Sequence, residues 1–150
     1  MNQSDGASSD VDLTSPILDA ARAVEARIDS ALGPLKLSLA KLNILDLLVR
    51  SDHPLTLGAL AQELACVRSN VTQLVDRLEA DGLVKREAAP EDRRSIRAIV
   101  TDSGRERQLA GTVALGKVRQ DLAQILAGFD SGHIEYALTA IGQSMGRIDS

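Results

Sequence analysis

The stretch from Leu55 to Arg86, LTLGALAQELACVRSNVTQLVDRLEADGLVKR, contains two short amphipathic helical patterns separated by only a few residues. The apolar residues of both follow the i, i+3, i+4, i+7 spacing of a helix: Leu57, Leu60, Ala61 and Leu64, then Val71, Leu74, Val75 and Leu78. Thr56 can cap the first helix, and Gly82 can end the second. Two such helices joined by a tight turn predict a helix-turn-helix.

The pattern changes directly after Gly82. The runs LVKREA and SIRAIVT are rich in apolar and β-branched residues, and they flank the proline-containing loop APEDRR. This arrangement predicts a β-hairpin with arginines at its tip.

Further helices are predicted on both sides of this region. Ser15-Pro16 offers an N-cap followed by proline at the first helical position, and Gly33-Pro34 ends that helix. A second helix is predicted to begin near Ser38, and a long helix to run from about Thr101 to Gly128. The apolar residues of the last helix have a heptad-like spacing of four, three, four and three: Ile134, Leu138, Ile141, Met145 and Ile148.

Amphipathic helices at both ends of a 150-residue chain need a surface to cover their apolar stripes. A second copy of the chain would supply one, which predicts a two-fold dimer. The alternative is that these helices fold back onto their own domain.

Composition narrows the function classes. The chain has one Phe, one Tyr and no Trp, so the core is predicted to be aliphatic, and base stacking on single-stranded nucleic acid is disfavoured. The formal charge of −4 arises within residues 1–33, and the rest of the chain sums to zero. The single cysteine and the lack of an apolar run of membrane-spanning length favour a cytoplasmic location. The polar, acidic residues 1–14 are interpreted as a disordered tail.

Catalytic and metal-binding patterns are missing from the sequence. It contains no G-x-S-x-G, P-loop or H-E-x-x-H motif, and His53 and His133 lack partners at metal-ligand spacing. We therefore expect no enzyme activity, no metal and no cofactor. Cys66 has two interpretations: a thiol whose oxidation disturbs the adjacent turn, or, as we favour, a small buried apolar residue beneath the helix pair.

The order of these elements resembles the MarR family of winged-helix repressors over roughly residues 15–149. The resemblance depends on SNVTQLVDRLEADGLVKR followed by PEDRRS and VTDSG. These correspond to a recognition helix, a wing with its D-x-R signature, and the Thr101 and Gly104 that open the next helix. The family pattern differs at Ala65-Cys66-Val67, where many relatives have glycine in the turn and a serine cap. Since the side chain of Val67 cannot cap, the alternative to an uncapped recognition helix is that Ser69 takes over the capping one or two residues later.

The resemblance implies roles for the wing. Arg94 is expected to enter the minor groove of DNA, where negative potential is concentrated. Asp92 is expected to hold the wing geometry by pairing nearby, while Arg93 and Arg97 add phosphate contacts. The alternative is that this turn is an ordinary solvated charged loop.

The recognition helix can be assigned by its faces. The side opposite the apolar stripe presents Ser69, Gln73 and Asp76. Ser69, Asn70 and Gln73 are expected to contact base edges in the major groove. The phosphate contacts are expected from three residues: Arg68, Thr72 and Arg77. Phosphates would repel Asp76, so it is expected to lie beyond the closest approach or to pair with a neighbouring arginine.

These observations predict a mainly α fold with a small β-hairpin wing. Residues 35–101 would form the winged helix-turn-helix, and 15–34 and 102–150 the dimerisation helices of one domain spanning 15–150. The predicted function is a homodimeric regulator of transcription that binds a pseudo-palindromic duplex, a repressor released by a small apolar or phenolic effector. The alternative is a winged-helix module that binds protein and not DNA.

Overall fold

The computed structural model describes residues 11–51, 53–90 and 92–145. Its helices are α1 (Thr14–Leu32), α2 (Leu39–Arg50), α3 (Leu57–Glu63), α4 (Arg68–Ala80), α5 (Asp102–Ile125) and α6 (Ser131–Met145). Its strands are β1 (Leu55–Thr56), β2 (Val84–Ala89) and β3 (Asp92–Val100). The mainly α winged-helix prediction is confirmed.

The helix-turn-helix is formed by α3 and α4. Thr56 caps α3, since its hydroxyl oxygen accepts the N–H of Ala59 at 3.1 Å. Gly82, with φ of +71°, ends α4 in a Schellman motif in which Leu83 N donates to Leu78 O at 2.9 Å and Gly82 N to Glu79 O at 2.9 Å. Both predicted helix boundaries are therefore confirmed.

The sheet differs from the prediction in two respects. It has three antiparallel strands in the order β1-β3-β2, because Leu55 and Thr56 pair with Ala98 and Arg97. A two-residue strand is too short to show a hydrophobic alternation. The hairpin turn is also tighter than predicted, since β3 begins at Asp92. Asp92, Arg93 and Arg94 therefore belong to a strand and not to the loop.

The core is aliphatic, as predicted, and lies between α2, α3, α4, α5, the sheet and the end of α1. Its fully buried side chains include Leu32, Leu42, Ile44, Leu45, Leu60, Val71, Val75 and Leu78. α2 begins next to Ser38, near the predicted position, and Ser38 caps it, with its hydroxyl oxygen accepting Lys41 N at 3.3 Å. The core therefore unites the helix-turn-helix and the wing in one packed unit.

The N-terminal helix begins earlier than predicted. α1 starts at Thr14, not at Pro16, and the Asp12 carboxylate accepts the Thr14 N–H at 2.9 Å. This hydrogen bond holds the pKa of Asp12 below its usual range. The predicted Ser15 cap is wrong because a carboxylate three residues earlier already satisfies that helix end. Most of the predicted tail, residues 1–10, lies outside the described residues.

The C-terminal helices stay largely uncovered. α5 ends at Ile125, three residues before the predicted end at Gly128. Along the described length of α6 no residue is buried. The expected seam residues Leu138 and Met145 are exposed, and Ile148 lies outside the described residues. For α6, the alternative of folding back onto its own domain is thus not what the structure shows.

Candidate nucleic-acid interface

The recognition helix α4 exposes a polar N-terminal face. It begins at Arg68, with Val67 at the N-cap position and no side-chain hydrogen bond at the cap. Ser69 therefore does not take over the capping. The predicted contact residues Arg68, Ser69, Asn70, Gln73 and Arg77 are all exposed. Their roles toward DNA remain predictions.

Thr72 is half-buried on the shoulder of the same helix. Its hydroxyl donates to the carbonyl of Arg68 at 2.9 Å, one turn earlier. This bond directs the hydroxyl toward the helix backbone. A phosphate that bound Thr72 would therefore share the hydroxyl proton with the carbonyl of Arg68.

Asp76 is paired with an arginine, as one of the two expectations held. The partner is Arg86 of β2, whose Nη2 contacts Asp76 Oδ1 and also donates to Thr72 O at 3.2 Å. The backbone N–H of Arg86 donates to Glu79 Oε1 at 3.2 Å. One residue of the wing thus contacts α4 over about two helical turns.

Arg86 was missed by the sequence analysis. It lies 10 positions after Asp76, beyond a helix end and a turn, so no helical or strand spacing connects the two residues. Lys41 of α2 was missed for the same reason: its Nζ contacts Asp81 Oδ2 at 2.9 Å, across 40 positions of sequence.

Arg94 lies near the tip of the wing, in an irregular part of β3. Arg94 is exposed, and its backbone N–H donates to Asp92 Oδ1 at 2.9 Å. The register is irregular here, because Ala88 pairs with Ile96 whereas Ala89 pairs with Asp92. Residues 93–95 therefore bulge from the ladder.

Arg97 is not at the tip of the wing. It is half-buried in the central strand, in register with Glu87 on one side and Thr56 on the other. Arg93 lies in β3 one residue after Asp92. The structure thus separates Arg97 from the Asp92–Arg94 group, with which sequence reasoning had placed it.

Cys66 is exposed in the turn between α3 and α4, so the expectation of a buried apolar residue is wrong. The physical reason is the turn itself. Ala65 adopts a left-handed φ of +48°, and Cys66 N donates to Ala61 O at 3.0 Å. Its neighbour Val67 is also exposed, which shows that this turn lies outside the core.

Other titratable residues form no further site in the described part of the chain. His133 Nδ1 lies 3.0 Å from Asp130 Oδ2, and Asp130 Oδ1 accepts the His133 N–H at 3.0 Å, which holds the pKa of Asp130 below its usual range. Over residues 11–51, 53–90 and 92–145, no three His, Cys, Asp or Glu side chains are grouped as a metal site would require. None of the described helices combines the length and apolarity needed to cross a bilayer.

Grooves run along the terminal helices. Between α1 and α5, cavities of about 270 and 310 Å³ adjoin the ion pair of Arg27 Nη2 and Asp121 Oδ2, whose atoms are 2.8 Å apart. A larger groove of about 540 Å³ separates the start of α1 from α6. Its walls are mostly apolar and include Leu18, Ile141 and Met145.

Comparison with known proteins agrees with this geometry. Residues 35–95 match the model of the MarR family. The HTH-type transcriptional regulator YkoM of Bacillus subtilis is 40% identical over 59 residues, which cover 39% of this chain and 38% of that protein. The chain thus matches about two fifths of the length of this curated relative.

Two solved structures align over most of the chain. The transcriptional regulator BldR from Sulfolobus solfataricus is 28% identical, with a TM-score of 0.65 over 91% of this chain and 94% of that one. The repressor CouR, bound to a 23-mer DNA duplex, is 25% identical, with a TM-score of 0.71 over 88% of this chain and 90% of that one. CouR from Rhodococcus jostii RHA1 was also solved with p-coumaroyl-CoA.

The matched segment contains α2 to β2 and the start of β3, and therefore the whole helix-turn-helix with most of the wing. The structural alignments extend the likeness to the terminal helices. Over residues 35–95, which include the exposed polar face of α4 and the D-x-R wing, this chain is similar to the MarR family of winged helix-turn-helix proteins.

Proposed function

We propose that the protein is a homodimeric regulator of transcription that binds double-stranded DNA in a sequence-specific way. The observation that carries this proposal is the polar, arginine-containing N-terminal face of α4, exposed together with Arg94 of the wing. The DNA-bound structure of CouR supports it by analogy. The proposal includes no catalytic residue and no cofactor.

In the proposed complex, α4 binds the major groove of the DNA and the wing binds the minor groove. The N-terminal half of α4 enters the major groove, where Ser69, Asn70 and Gln73 contact base edges. Arg68, Thr72 and Arg77 hold phosphates and so position the helix without reading sequence.

The wing follows the adjacent minor groove. Arg94 inserts there because a narrow groove concentrates negative potential. Asp92 accepts the Arg94 N–H and so fixes the backbone from which that guanidinium extends. Arg93 and Arg97 add phosphate contacts, with Arg97 acting from the middle of the sheet.

Two copies would read a pseudo-palindromic operator. Dimeric helix-turn-helix proteins place their recognition helices in half-sites about one helical turn, roughly 10 base pairs, apart. The exposed apolar residues of α6 and of the start of α1 supply a dimer surface. We propose that the single domain spans residues 15–150, that dimerisation uses 15–34 and 102–150, and that the protein acts in the cytoplasm.

A small effector would act as a derepressor by changing the distance between the recognition helices of the two protomers. The mostly apolar groove between α1 and α5, which the paired side chains of Arg27 and Asp121 adjoin, suits a lipophilic or phenolic compound. Only a difference in affinity between the two dimer geometries can shift their populations. An effector is thus expected to lower operator affinity while binding outside the α4 face.

Binding to the protein's own upstream promoter DNA at several salt concentrations tests the function. We expect Arg94→Ala to lower affinity and to reduce the salt slope by about one, as the loss of one phosphate-region cation predicts. Arg119→Ala is the matched control, because Arg119 is an exposed arginine on α5 away from the wing. Wild-type affinity and slope for Arg94→Ala would overturn the wing assignment.

The rival function is a winged-helix module that binds protein. It predicts affinity for a protein partner and no salt-dependent DNA binding by the wild type. The same titration therefore separates the two functions.

A further inference from the structure

We propose that Arg86 is a positioning residue for the recognition helix, which neutralises Asp76 and fixes α4 against the wing without touching DNA itself. This inference rests on the proposed DNA-binding function and deepens it. It assigns a role to a residue outside the contact set of α4 and the wing tip.

Side-chain and backbone atoms of Arg86 contact α4. Nη2 reaches both Asp76 Oδ1 and the carbonyl of Thr72, and Nε lies 3.6 Å from Glu79 Oε2. The backbone N–H holds the other oxygen of Glu79 at 3.2 Å. Side chain and backbone of a single residue in β2 therefore hold α4 over more than one turn.

The side chain of Arg86 is less exposed than the two carboxylates that it contacts. The Arg86 side chain keeps 25% of its surface exposed, whereas Asp76 keeps 53% and Glu79 keeps 42%. The carboxylates thus face solvent on the outer side of α4, with the guanidinium beneath them. Arg86 is placed to balance charge and not to reach a phosphate beyond them.

Asp76 is the residue for which this balance matters. It follows Gln73 by three positions and Ser69 by seven, so it shares their face at helical spacing. Seven residues correspond to roughly 10 Å along a helix. An unpaired carboxylate there would repel the phosphates that Arg68 and Arg77 attract.

Charge matching extends to the end of the helix. Asp81, the C-cap residue of α4, carries a third carboxylate after those of Asp76 and Glu79. It pairs with Lys41 of α2 at 2.9 Å. Lys41 and Arg86 thus approach α4 from two different elements. Asp81 lies at the C-terminal end of α4, away from the half proposed to enter the groove. The Arg86–Asp76 pair therefore neutralises a carboxylate near the DNA, whereas the Lys41–Asp81 pair attaches the far end of α4 to α2.

A double-mutant cycle on the full-length protein tests the proposal, with anisotropy of the labelled upstream promoter duplex at one salt concentration. We expect Arg86→Gln to weaken binding roughly tenfold, and Asp76→Asn to bind as tightly as wild type or more tightly. In the double variant, affinity should return to within about threefold of wild type, because position 76 no longer carries a charge that lacks its partner. Lys41→Gln, the matched control, should stay within about twofold.

Two outcomes of the cycle would overturn the proposal. Wild-type affinity for Arg86→Gln would show that the pairing does not matter for binding. A double variant as weak as Arg86→Gln would show that the guanidinium itself contacts DNA or serves only the fold. If Arg86→Gln loses its cooperative thermal transition, Arg86→Lys takes its place, with a smaller loss that Asp76→Asn again recovers.

A DNA-free measurement keeps this inference separate from the proposed function. By amide hydrogen exchange, Arg86→Gln should raise exchange in α4 and β2 while leaving α2 unchanged. If wild type bound no DNA, the function would fail, and this measurement alone would decide the positioning role. Unchanged exchange in α4 would then refute it.

Discussion

Gly104 shows how one residue can join two halves of a fold. A Cβ at this position would lie 2.1 Å from the carbonyl oxygen of Leu83 and 2.8 Å from a methyl group of Val100. Thr101 completes the junction, since its hydroxyl donates to Gly82 O at 2.8 Å and accepts Gly104 N at 3.0 Å. The start of α5 is thereby held against the turn that ends α4.

We expect Gly104→Ala to destabilise the protein by roughly 2–3 kcal/mol, because the added methyl group meets backbone that cannot rotate away. Urea denaturation at a fixed protein concentration measures the effect. Gly116→Ala is the matched control on the same helix, where a Cβ would have nothing within 4 Å. That change should stabilise by roughly 0.5–1 kcal/mol. Equal effects of the two substitutions would contradict the close-approach argument.

Residues that act locally were predictable, and residues that act across the fold were not. The cap at Thr56 and the glycine at Gly82 depend on neighbours within four positions, so their spacing alone reveals them. Arg86 depends on where β2 packs against α4. The exposure of Cys66 depends on the direction of a turn.

At the scale of elements, α4 stands out because its N-terminus lacks a side-chain cap. Val67 occupies the N-cap position in an extended conformation with ψ of 140° and is 63% exposed. Its backbone already has the geometry of a capping residue, so only the side chain is unsuitable.

We expect Val67→Ser to stabilise the protein by about 1 kcal/mol, because a hydroxyl can accept an N–H of the first turn of α4. The midpoint of urea unfolding gives the measurement. Val113→Ser is the control, since Val113 is an exposed valine inside α5, where a hydroxyl caps nothing. Stabilisation by both variants, or by neither, would show that the missing cap does not limit α4.

The elements themselves followed from periodicity, while their ends depended on contacts that the pattern does not contain. The hairpin was predicted, yet its arginines lie in β3, because Asp92 pairs with Ala89 and begins the strand early. β1 escaped prediction because its two residues become a strand only through pairing with β3.

At the scale of the whole molecule, the terminal helices carry apolar surface that the core does not use. The packed core draws on α1 to α5 and the sheet, and none of its members lies in α6. Leu138 is 57% exposed and Met145 is 67% exposed, on a helix whose apolar spacing is that of a packed seam. The apolar spacing of α6 in the sequence predicted this uncovered surface.

We expect the wild-type protein to have the mass of a dimer in solution, twice the 15.9 kDa of one chain. Leu138→Asp should shift it to the monomer mass, because a charge buried in an apolar interface is strongly unfavourable. Its winged domain should stay folded, since Leu138 lies outside the core.

Analytical ultracentrifugation gives the mass, and far-UV circular dichroism reports the fold. Gln143→Asp is the matched control, because it adds the same charge to α6 at an exposed polar position. A monomer should also lose most of its affinity for a duplex with two half-sites, while it keeps its weak affinity for a single half-site. In a dimer, binding of one recognition helix raises the effective concentration of the other at the second half-site. A monomeric wild type, or a dimer that survives Leu138→Asp, would place the paired surface elsewhere and remove α6 from it.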